Sequence, residues 1–393
     1  MPKTILIVHN FYQFSGGEDI VVQNEQQLLK ENGFRVLLYT RSNKEILSMN
    51  LLQKGIMGIF SIFSLKTFFE IRKIIKNEHV DYIHVHNTLS LITPSVYYAA
   101  ISMKKPVLQT LHNFRFLCAN ALLFRNSHIC EDCLTCGSKC AVKYRCYHNS
   151  RLQTFLCVVN QKFHRFTGIY KKIYFICPTE FNKQLFLDNM QNYIFPEKVF
   201  VKSNFIKDDY QYLKSDNLPI HGDYYLYIGR LDESKGIFDL ISIWINIYDK
   251  KLIICGSGPE KAYIEEFIKS KKISNILLIG QHPHTDVLNY IYNANAVIMP
   301  TKLYEGAFPL VAIECLMCGT PIVCENIGNT GSVIHQISPQ TTYRSISELD
   351  AILNNLTHED LSSLYRSYYL EHFTSSTNIV QYKKILNAAD SYQ

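Results

Sequence analysis

The apolar positions of this chain fall into short, near-continuous runs separated by longer stretches of helical periodicity. The run at 4–8 (TILIV) reads as a buried strand, and those at 35–39 (RVLLY), 81–85 (DYIHV), 106–111 (PVLQTL) and 173–177 (IYFIC) as further strands. Val21/Leu28 and Val22/Leu29 recur at heptad spacing, which predicts a helix over 18–31 stopped at Gly33. A polar, irregular stretch follows at 207–223 (KDDYQYLKSDNLPIHGD). Beyond it a second series of runs lies at 224–228, 251–254, 276–279, 296–299 and 322–323, most of them separated by helical segments. This alternation predicts an α/β chain with two doubly wound domains. The first covers 1–206, 207–223 is a linker, 224–367 is the second, and 368–393 closes the chain with a helix.

The apolar run within 51–76 is broken by Lys54 and Lys66, well short of a membrane span. Its mixture of Ile, Phe and Lys, with Glu70 the only acid, predicts an amphipathic helix or helix pair. Such helices lie on a membrane surface or pack on the domain core. The opening MPKTILIVHN has too short an apolar core for an export signal. Apolar content of 47% and charged content of 19% over 393 residues describe a globular chain with length for two cores. The net charge of +6 is unevenly spread. No acid lies between Asp132 and Glu180, whereas that interval holds Lys139, Lys143, Arg145, Arg151, Lys162, Arg165, Lys171 and Lys172. A positive face there suits anionic lipid, phosphates or nucleic acid.

The candidate chemistry clusters at predicted strand ends. Residues 304–323 read YEGAFPLVAIECLMCGTPIV. Glu305 follows a strand, and the N–H groups of Ala307 and Phe308 are expected to open a helix facing an anion. Glu314 lies within that helix, which should end at Gly319. Gly16 and Gly17 join a strand to a helix and let backbone approach a phosphate. Arg230 and Lys235, in YIGRLDESKGI, lie beyond another strand, where two cations neutralise a diphosphate leaving group. Gly256 lies in ICGSGP, and Gly280, His282 and Pro283 form a further loop. Alone, each feature also reads as a turn glycine, a solvated acid or a surface cation. His84, His86 and His112 each end or follow a strand of the first domain.

Six of the twelve cysteines fall between Cys118 and Cys146. Cys130, Cys133, Cys136 and Cys140 have iron–sulfur-like spacing, with Ala141 where proline is usual; the set also suits tetrahedral zinc. Reduced thiols are the third reading, and without an export signal disulfides are not expected.

YEGAFPLVAIE with CGTPIV resembles the nucleotide-sugar loop of family 4 glycosyltransferases. GGED with its following helix, GRL-x3-KG and TLHN are similar to further motifs of that family, in the same order, so the resemblance runs across most of the chain. It implies the GT-B fold, two Rossmann-like domains facing across a cleft, and retaining transfer from a nucleotide-diphosphate sugar without a catalytic metal. The implied catalytic residues are Glu305, His112, Arg230 and Lys235. The implied donor-binding residues are Gly16, Gly17, Gly229, Arg230, Lys235, Gly256, Gly306, Ala307, Phe308, Pro309, Leu310 and Glu314. Glu305 would lie near the transferred sugar, Glu314 on the ribose, His112 at the sugar and His86 on the acceptor side. The usual spacing puts seven residues between the two acids; here there are eight, with Ala307 the extra one. Some family members carry a similar cysteine-rich insertion, which corresponds to 118–146. In those members the metal quartet matches Cys118, Cys130, Cys133 and Cys146, with Cys136 and Cys140 as competitors for a structural zinc. The resemblance further implies a glycan or lipid-linked acceptor, synthesis of lipopolysaccharide, capsule or another surface polysaccharide, and a cytoplasmic protein, peripheral on the inner membrane face, without a nucleic-acid partner. Two other classes stay open: a redox or regulatory protein centred on the cysteines, and a GT-B-like binding module without catalysis.

Overall fold

A computed structural model describes residues 2–13, 16–213, 223–356 and 358–391. The chain forms two compact units. The first is Met1–Leu123 with Cys130–Asn204 and Ser375–Gln393; the second is Phe124–Ile129 with Phe205–Thr374.

The first unit opens with β1 (Thr4–Phe11), α1 (Gly17–Glu31), β2 (Arg35–Ser42), α2 (Leu51–Phe60), α3 (Leu65–Asn77), β3 (Tyr82–Asn87), α4 (Ser95–Ser102) and β4 (Val107–Thr110). A small hairpin that belongs to the second unit, β5 (Phe124–Arg125) and β6 (His128–Ile129), interrupts it, and the first unit resumes with α5 (Asp132–Thr135), α6 (Lys139–Tyr144), α7 (Arg151–Phe166), β7 (Tyr174–Cys177), α8 (Glu180–Met190) and β8 (Val199–Val201). The sheet order is β2-β1-β3-β4-β7-β8, with every pair parallel. Parallel strands are covered on both faces, which is why Ile5–Val8 are wholly buried and appear as an unbroken apolar run. α1 begins where Asp19 accepts from the Gly16 N–H at 3.2 Å. Stretch 51–76 is a helix pair, α2 and α3, interrupted at 61–64. The cysteine-bearing insertion packs on α7 through Ala119, Ala141, Cys157 and Val158.

The second unit contains β9 (Tyr225–Ile228), α9 (Ile237–Trp244), β10 (Leu252–Cys255), α10 (Lys261–Ser270), β11 (Ile276–Gly280), α11 (His284–Tyr292), β12 (Ala296–Met299), α12 (Leu310–Cys318), β13 (Ile322–Glu325), α13 (Gly328–Ile337), β14 (Thr342–Tyr343), α14 (Leu349–Asn354) and α15 (His358–His372). Its sheet order is β11-β10-β9-β12-β13-β14, again all parallel. Trp244, Leu240 and Ile254 pack on one face, and Leu226, Ile313 and Leu316 on the other. Of the stretch 207–223, residues 214–222 lie outside the described residues. Asp208 accepts from Arg366 Nη2 at 2.6 Å, and the Arg366 guanidinium lies 4.5 Å from the Tyr210 ring centroid.

The closing stretch departs from the expected single helix. α15 ends at His372 and α16 spans Ser375–Ser391; the first belongs to the second unit and the second to the first. Phe373 is held in the second unit's core by stacking on Phe308 at 5.3 Å. The Thr374-Ser375-Ser376 run that follows favours a fresh helix start over continuation.

Candidate functional site

Each sheet reverses its strand order once. Ligands in such sheets bind outside the carboxyl ends of the strands flanking the reversal. In the second unit those strands are β9 and β12. The chain leaves β9 through Gly229 and Arg230 into a turn at Glu233–Lys235, whose start is fixed by the Ser234 N–H on Asp232 Oδ1 at 3.0 Å. Gly236 follows at φ +70°, and a Cβ there would lie 1.8 Å from the Pro300 carbonyl oxygen. Glycine therefore lets the turn lie against the end of β12, which brings Lys235 to Glu305: Nζ and Oε1 are 2.6 Å apart. Thr301 Oγ1 donates to the same carboxylate oxygen at 2.9 Å. The loop is pinned from α13, where Asn329 Nδ2 donates to the Glu305 carbonyl at 2.7 Å and Asn329 N–H to that of Tyr304 at 2.9 Å. These bonds hold Glu305 at φ +54°, uncommon outside glycine. Gly256 closes the same end of the sheet, since a Cβ there would lie 1.9 Å from the Gly229 carbonyl oxygen.

Ala307 and Phe308 do not open a helix. α12 begins at Leu310, after an extended Pro309. A residue preceding proline is disfavoured in the helical region, so Phe308 cannot start the helix cheaply. Its ring is buried and stacks on Phe373 instead. Gly306, Ala307 and Phe308 thus form a loop between Glu305 and the helix. Glu314, in the second turn of α12, is nearly buried and lies 2.8 Å from His284 Nε2 at the start of α11. Hydrogen bonding to Glu314 raises the His284 pKa. Arg230 is different: its side chain is 70% exposed, with Nε 3.2 Å from Asp232. Sequence reasoning missed His284, Thr301 and Asn329. His284 stands two residues beyond the histidine singled out in that loop.

In the first unit the order reverses between β1 and β3. Their carboxyl ends carry His9 and His86, with Gly16 and Gly17 at the start of α1 and His112 just after β4. His86 Nδ1 and His112 Nε2 are 2.8 Å apart, with stacked rings. Burial lowers both pKa values, His112 to about 3, so both rings are neutral near pH 7. His112 is therefore a hydrogen-bonding group rather than a cation. Deeper in this unit Lys202 Nζ and Glu25 Oε2 are 3.1 Å apart, as are His84 Nδ1 and Glu25 Oε1. Glu25, His84 and His86 place one ligand atom each within 4.8 Å of one another. The Lys202 ammonium already neutralises that carboxylate, so the cluster is a buried ion network, tied to α16 by Tyr382 on His84 Nδ1 at 3.1 Å.

All twelve cysteines are free thiols. A hydrogen bond with Cys133 lowers the Cys118 thiol to about 6 and raises that of Cys133, on which the charges of Cys146 and Cys130 also bear. Cys136 is exposed. Cys118 and Cys133 are thus paired, with Cys130 and Cys146 close enough to act on Cys133, but among the described residues the four thiols do not draw together to metal-ligand spacing.

Residues 212–340 match the family described as Glycosyl transferases group 1. Glycogen synthases of Mycobacterium tuberculosis are 32% identical over 114 residues, 28% of this chain and 27% of theirs. The chain thus spans about a quarter of the length of these first curated relatives. An uncharacterized glycosyltransferase of Methanocaldococcus jannaschii is 22% identical over 84% of this chain and 81% of its own. Among solved structures, Anabaena HepE in complex with UDP superimposes with a TM-score of 0.65 at 14% identity, covering 98% of this chain and 100% of that one. The fold is GT-B. Each of its two Rossmann-like domains is accounted for by one of the six-stranded parallel sheets, and the glycosyl transferases group 1 match falls wholly within the second unit.

Proposed function

We propose that this chain is a family 4 retaining glycosyltransferase that moves a sugar from a nucleotide-diphosphate donor to a glycan acceptor. The observation that carries the reading is the Lys235–Glu305 pair at the carboxyl ends of β9 and β12. An ammonium and a carboxylate meet there, and the exposed guanidinium of Arg230 follows the same strand, β9. In the proposed reaction the bond from the anomeric carbon to the diphosphate oxygen breaks, and the electron pair leaves with the diphosphate. Lys235 and Arg230 balance the charge that develops. Glu305 positions the sugar, Glu314 binds the ribose, and the loop of Gly306, Ala307 and Phe308 supplies backbone donors to the sugar. The acceptor hydroxyl adds to the same face and passes its proton to the departing diphosphate oxygen. HepE, solved in complex with UDP, supports a nucleotide as the donor's handle.

The acceptor is proposed to be lipid-linked, in cell-surface polysaccharide synthesis, with the protein peripheral on the inner membrane face. Phe60, Leu65 and Phe69 of α2 and α3, and Phe155 and Phe166 of α7, are exposed large apolar side chains, Phe166 at 90%. Asn160 of α7 donates to the Ser61 carbonyl between α2 and α3 at 2.7 Å, so these helices adjoin. Basic residues interleave them, as suits an anionic lipid surface. No helix among the described residues is long and apolar enough to cross a membrane. Cys118, Cys130, Cys133 and Cys146 are proposed to hold a structural zinc, which would brace the insertion without entering the chemistry.

A thermal-shift screen against nucleotide sugars tests the donor assignment, since a ligand selective for the native state raises its melting point. Release of nucleoside diphosphate on adding acceptor glycans tests transfer. Neither stabilisation nor release across uridine, guanosine and adenosine donors would refute the proposal.

A further inference from the structure

A hydrogen-bonded chain with one gap runs across the carboxyl end of the first sheet. Asp19 Oδ1 lies 2.8 Å from His9 Nε2, and Asp19 Oδ2 accepts from the Gly16 N–H. A carboxylate has no proton to give, so the His9 ring carries its proton on Nε2 and leaves Nδ1 a bare acceptor. From the other side Asn113 Nδ2 donates to the Tyr12 hydroxyl at 3.4 Å, and that hydroxyl donates to Glu18 Oε2 at 2.9 Å. The Arg115 N–H on Asn113 Oδ1 at 3.0 Å fixes the Asn113 amide. Glu18 Oε1 and His9 Nδ1 then face each other across 3.9 Å, beyond hydrogen-bond reach. Both atoms are buried without a hydrogen-bond partner among the described residues. The His9 side chain is fully buried and that of Glu18 is 9% exposed.

Burial pushes the Glu18 carboxyl up to about 8, so near pH 7 it keeps its proton. With Oε2 accepting from Tyr12, that proton belongs on Oε1. Burial also lowers the His9 pKa, which keeps the ring neutral. The gap therefore has a donor on one side and an acceptor on the other. One hydroxyl oxygen bridges such a gap, because two bonds of about 2.8 Å meeting near a right angle span it. An anion would meet the His9 lone pair, and an ammonium the carboxylic proton; a hydroxyl satisfies both.

We propose that Glu18 and His9 form a subsite for a single sugar hydroxyl, an inference that rests on the glycosyltransferase reading above. The hydroxyl comes from the donor sugar or from the acceptor sugar.

Three variants isolate the two atoms. Glu18→Gln keeps a donor in place of Oε1 and an acceptor for Tyr12. Glu18→Met keeps the volume and removes both. His9→Gln keeps an N–H for Asp19 and replaces the ring acceptor at Nδ1 by an amide oxygen at a different position. Folding is checked by circular dichroism and melting. Calorimetry then compares UDP-glucose, GDP-mannose and ADP-glucose with the corresponding free diphosphates, and with methyl glucoside, galactoside and N-acetylglucosaminide. If the donor sugar fills the gap, Glu18→Met and His9→Gln weaken the sugar nucleotide about tenfold and leave the free diphosphate unchanged, while Glu18→Gln binds like the native protein. If the acceptor fills it, the same pattern appears with a glycoside. Unchanged affinities in folded Glu18→Met and His9→Gln overturn the subsite and leave the gap to a water. A native protein that binds a free diphosphate but no sugar also overturns it, with the nucleotide part of the wider reading intact. Binding of none of the probes overturns both.

Discussion

Lys235 Nζ lies 2.6 Å from Glu305 Oε1, although the two residues are seventy positions apart in sequence. The contact exists because Gly236 lets one loop rest on the end of β12 while Asn329 pins the other. Two elements that each look ordinary in sequence thus become one charged couple at the edge of a Rossmann-like sheet.

Lys235→Ala is expected to lower transfer by roughly a hundredfold or more, the scale seen when a preorganised electrostatic group is removed from developing charge. Its melting point should move little, because a partly exposed ion pair contributes only about 1 kcal/mol or less. Initial rates and a thermal melt on the same preparation decide the matter. A variant with native turnover would remove Lys235 from the mechanism.

Glu314→Ala is expected to weaken donor binding strongly and to return His284 to an ordinary histidine pKa. Hydrogen bonding to Glu314 raises His284 in the native protein. The stability from that pair is complete below the ordinary histidine pKa and is lost as pH rises through the raised value. Histidine NMR titration of both proteins checks this; identical His284 curves would contradict the contact.

Glu18→Gln is expected to stabilise the fold in mildly alkaline solution. The native carboxyl has a pKa of about 8 against 4.5 in the unfolded chain, so protonation favours the folded state. Its contribution is complete below pH 4.5 and is lost progressively up to about pH 8, a cost on the order of a few kcal/mol. Tyr12, His9, Asp19, Asn113 and Arg115 face the group and are unchanged in the variant. Denaturant unfolding at several pH values should show the native protein losing ground to Glu18→Gln between about pH 4.5 and 8, with the difference level above that. Parallel curves would disprove the buried proton.

Metal analysis of protein purified without chelator is expected to find about one zinc per chain and no visible iron–sulfur colour. Cys118→Ser should lose the metal and melt earlier, whereas Cys136→Ser should keep it. Zinc-free native protein with unaltered melting would reduce the cluster to plain thiols.

Replacing Phe69 and Phe166 together by glutamate should cut sedimentation with anionic vesicles by about tenfold or more and leave neutral vesicles unbound as before. Equal sedimentation would move the membrane contact elsewhere.

Ten of the twelve strands in the two six-stranded sheets were legible in the sequence, because inner parallel strands covered on two faces need continuous apolar runs, whereas the short edge strands β8 and β14 offer too few residues to show one. The legible part of β1 stopped at position 8, yet the strand continues through His9 and Asn10, both fully buried. Those polar residues belong inside only because Asp19 pairs with one and Asn43 and the Leu89 carbonyl pair with the other. Such partners lie far away along the chain, and no local pattern reveals them. The same holds for His284 and Glu314. The helix start misplaced at Ala307 was a local failure: the proline two positions on carried the correct signal. Convergence of Lys235 on Glu305 followed motif order, whereas the buried protonation of Glu18 needed the fold.

α16 belongs to the first unit, although Phe205–Thr374 of the second unit separate it from β8 in the chain. Asn378 contributes its Oδ1 to Lys202 at 3.3 Å and its Nδ2 to the Ser203 carbonyl, while Tyr382 covers His84. An expression fragment ending at Asn204 would therefore leave an internal lysine–glutamate couple open to water and a bare apolar groove beside it. A usable isolated first half has to graft 375–391 back through an artificial tether, and a tag or truncation at the tail is felt at the opposite end of the gene.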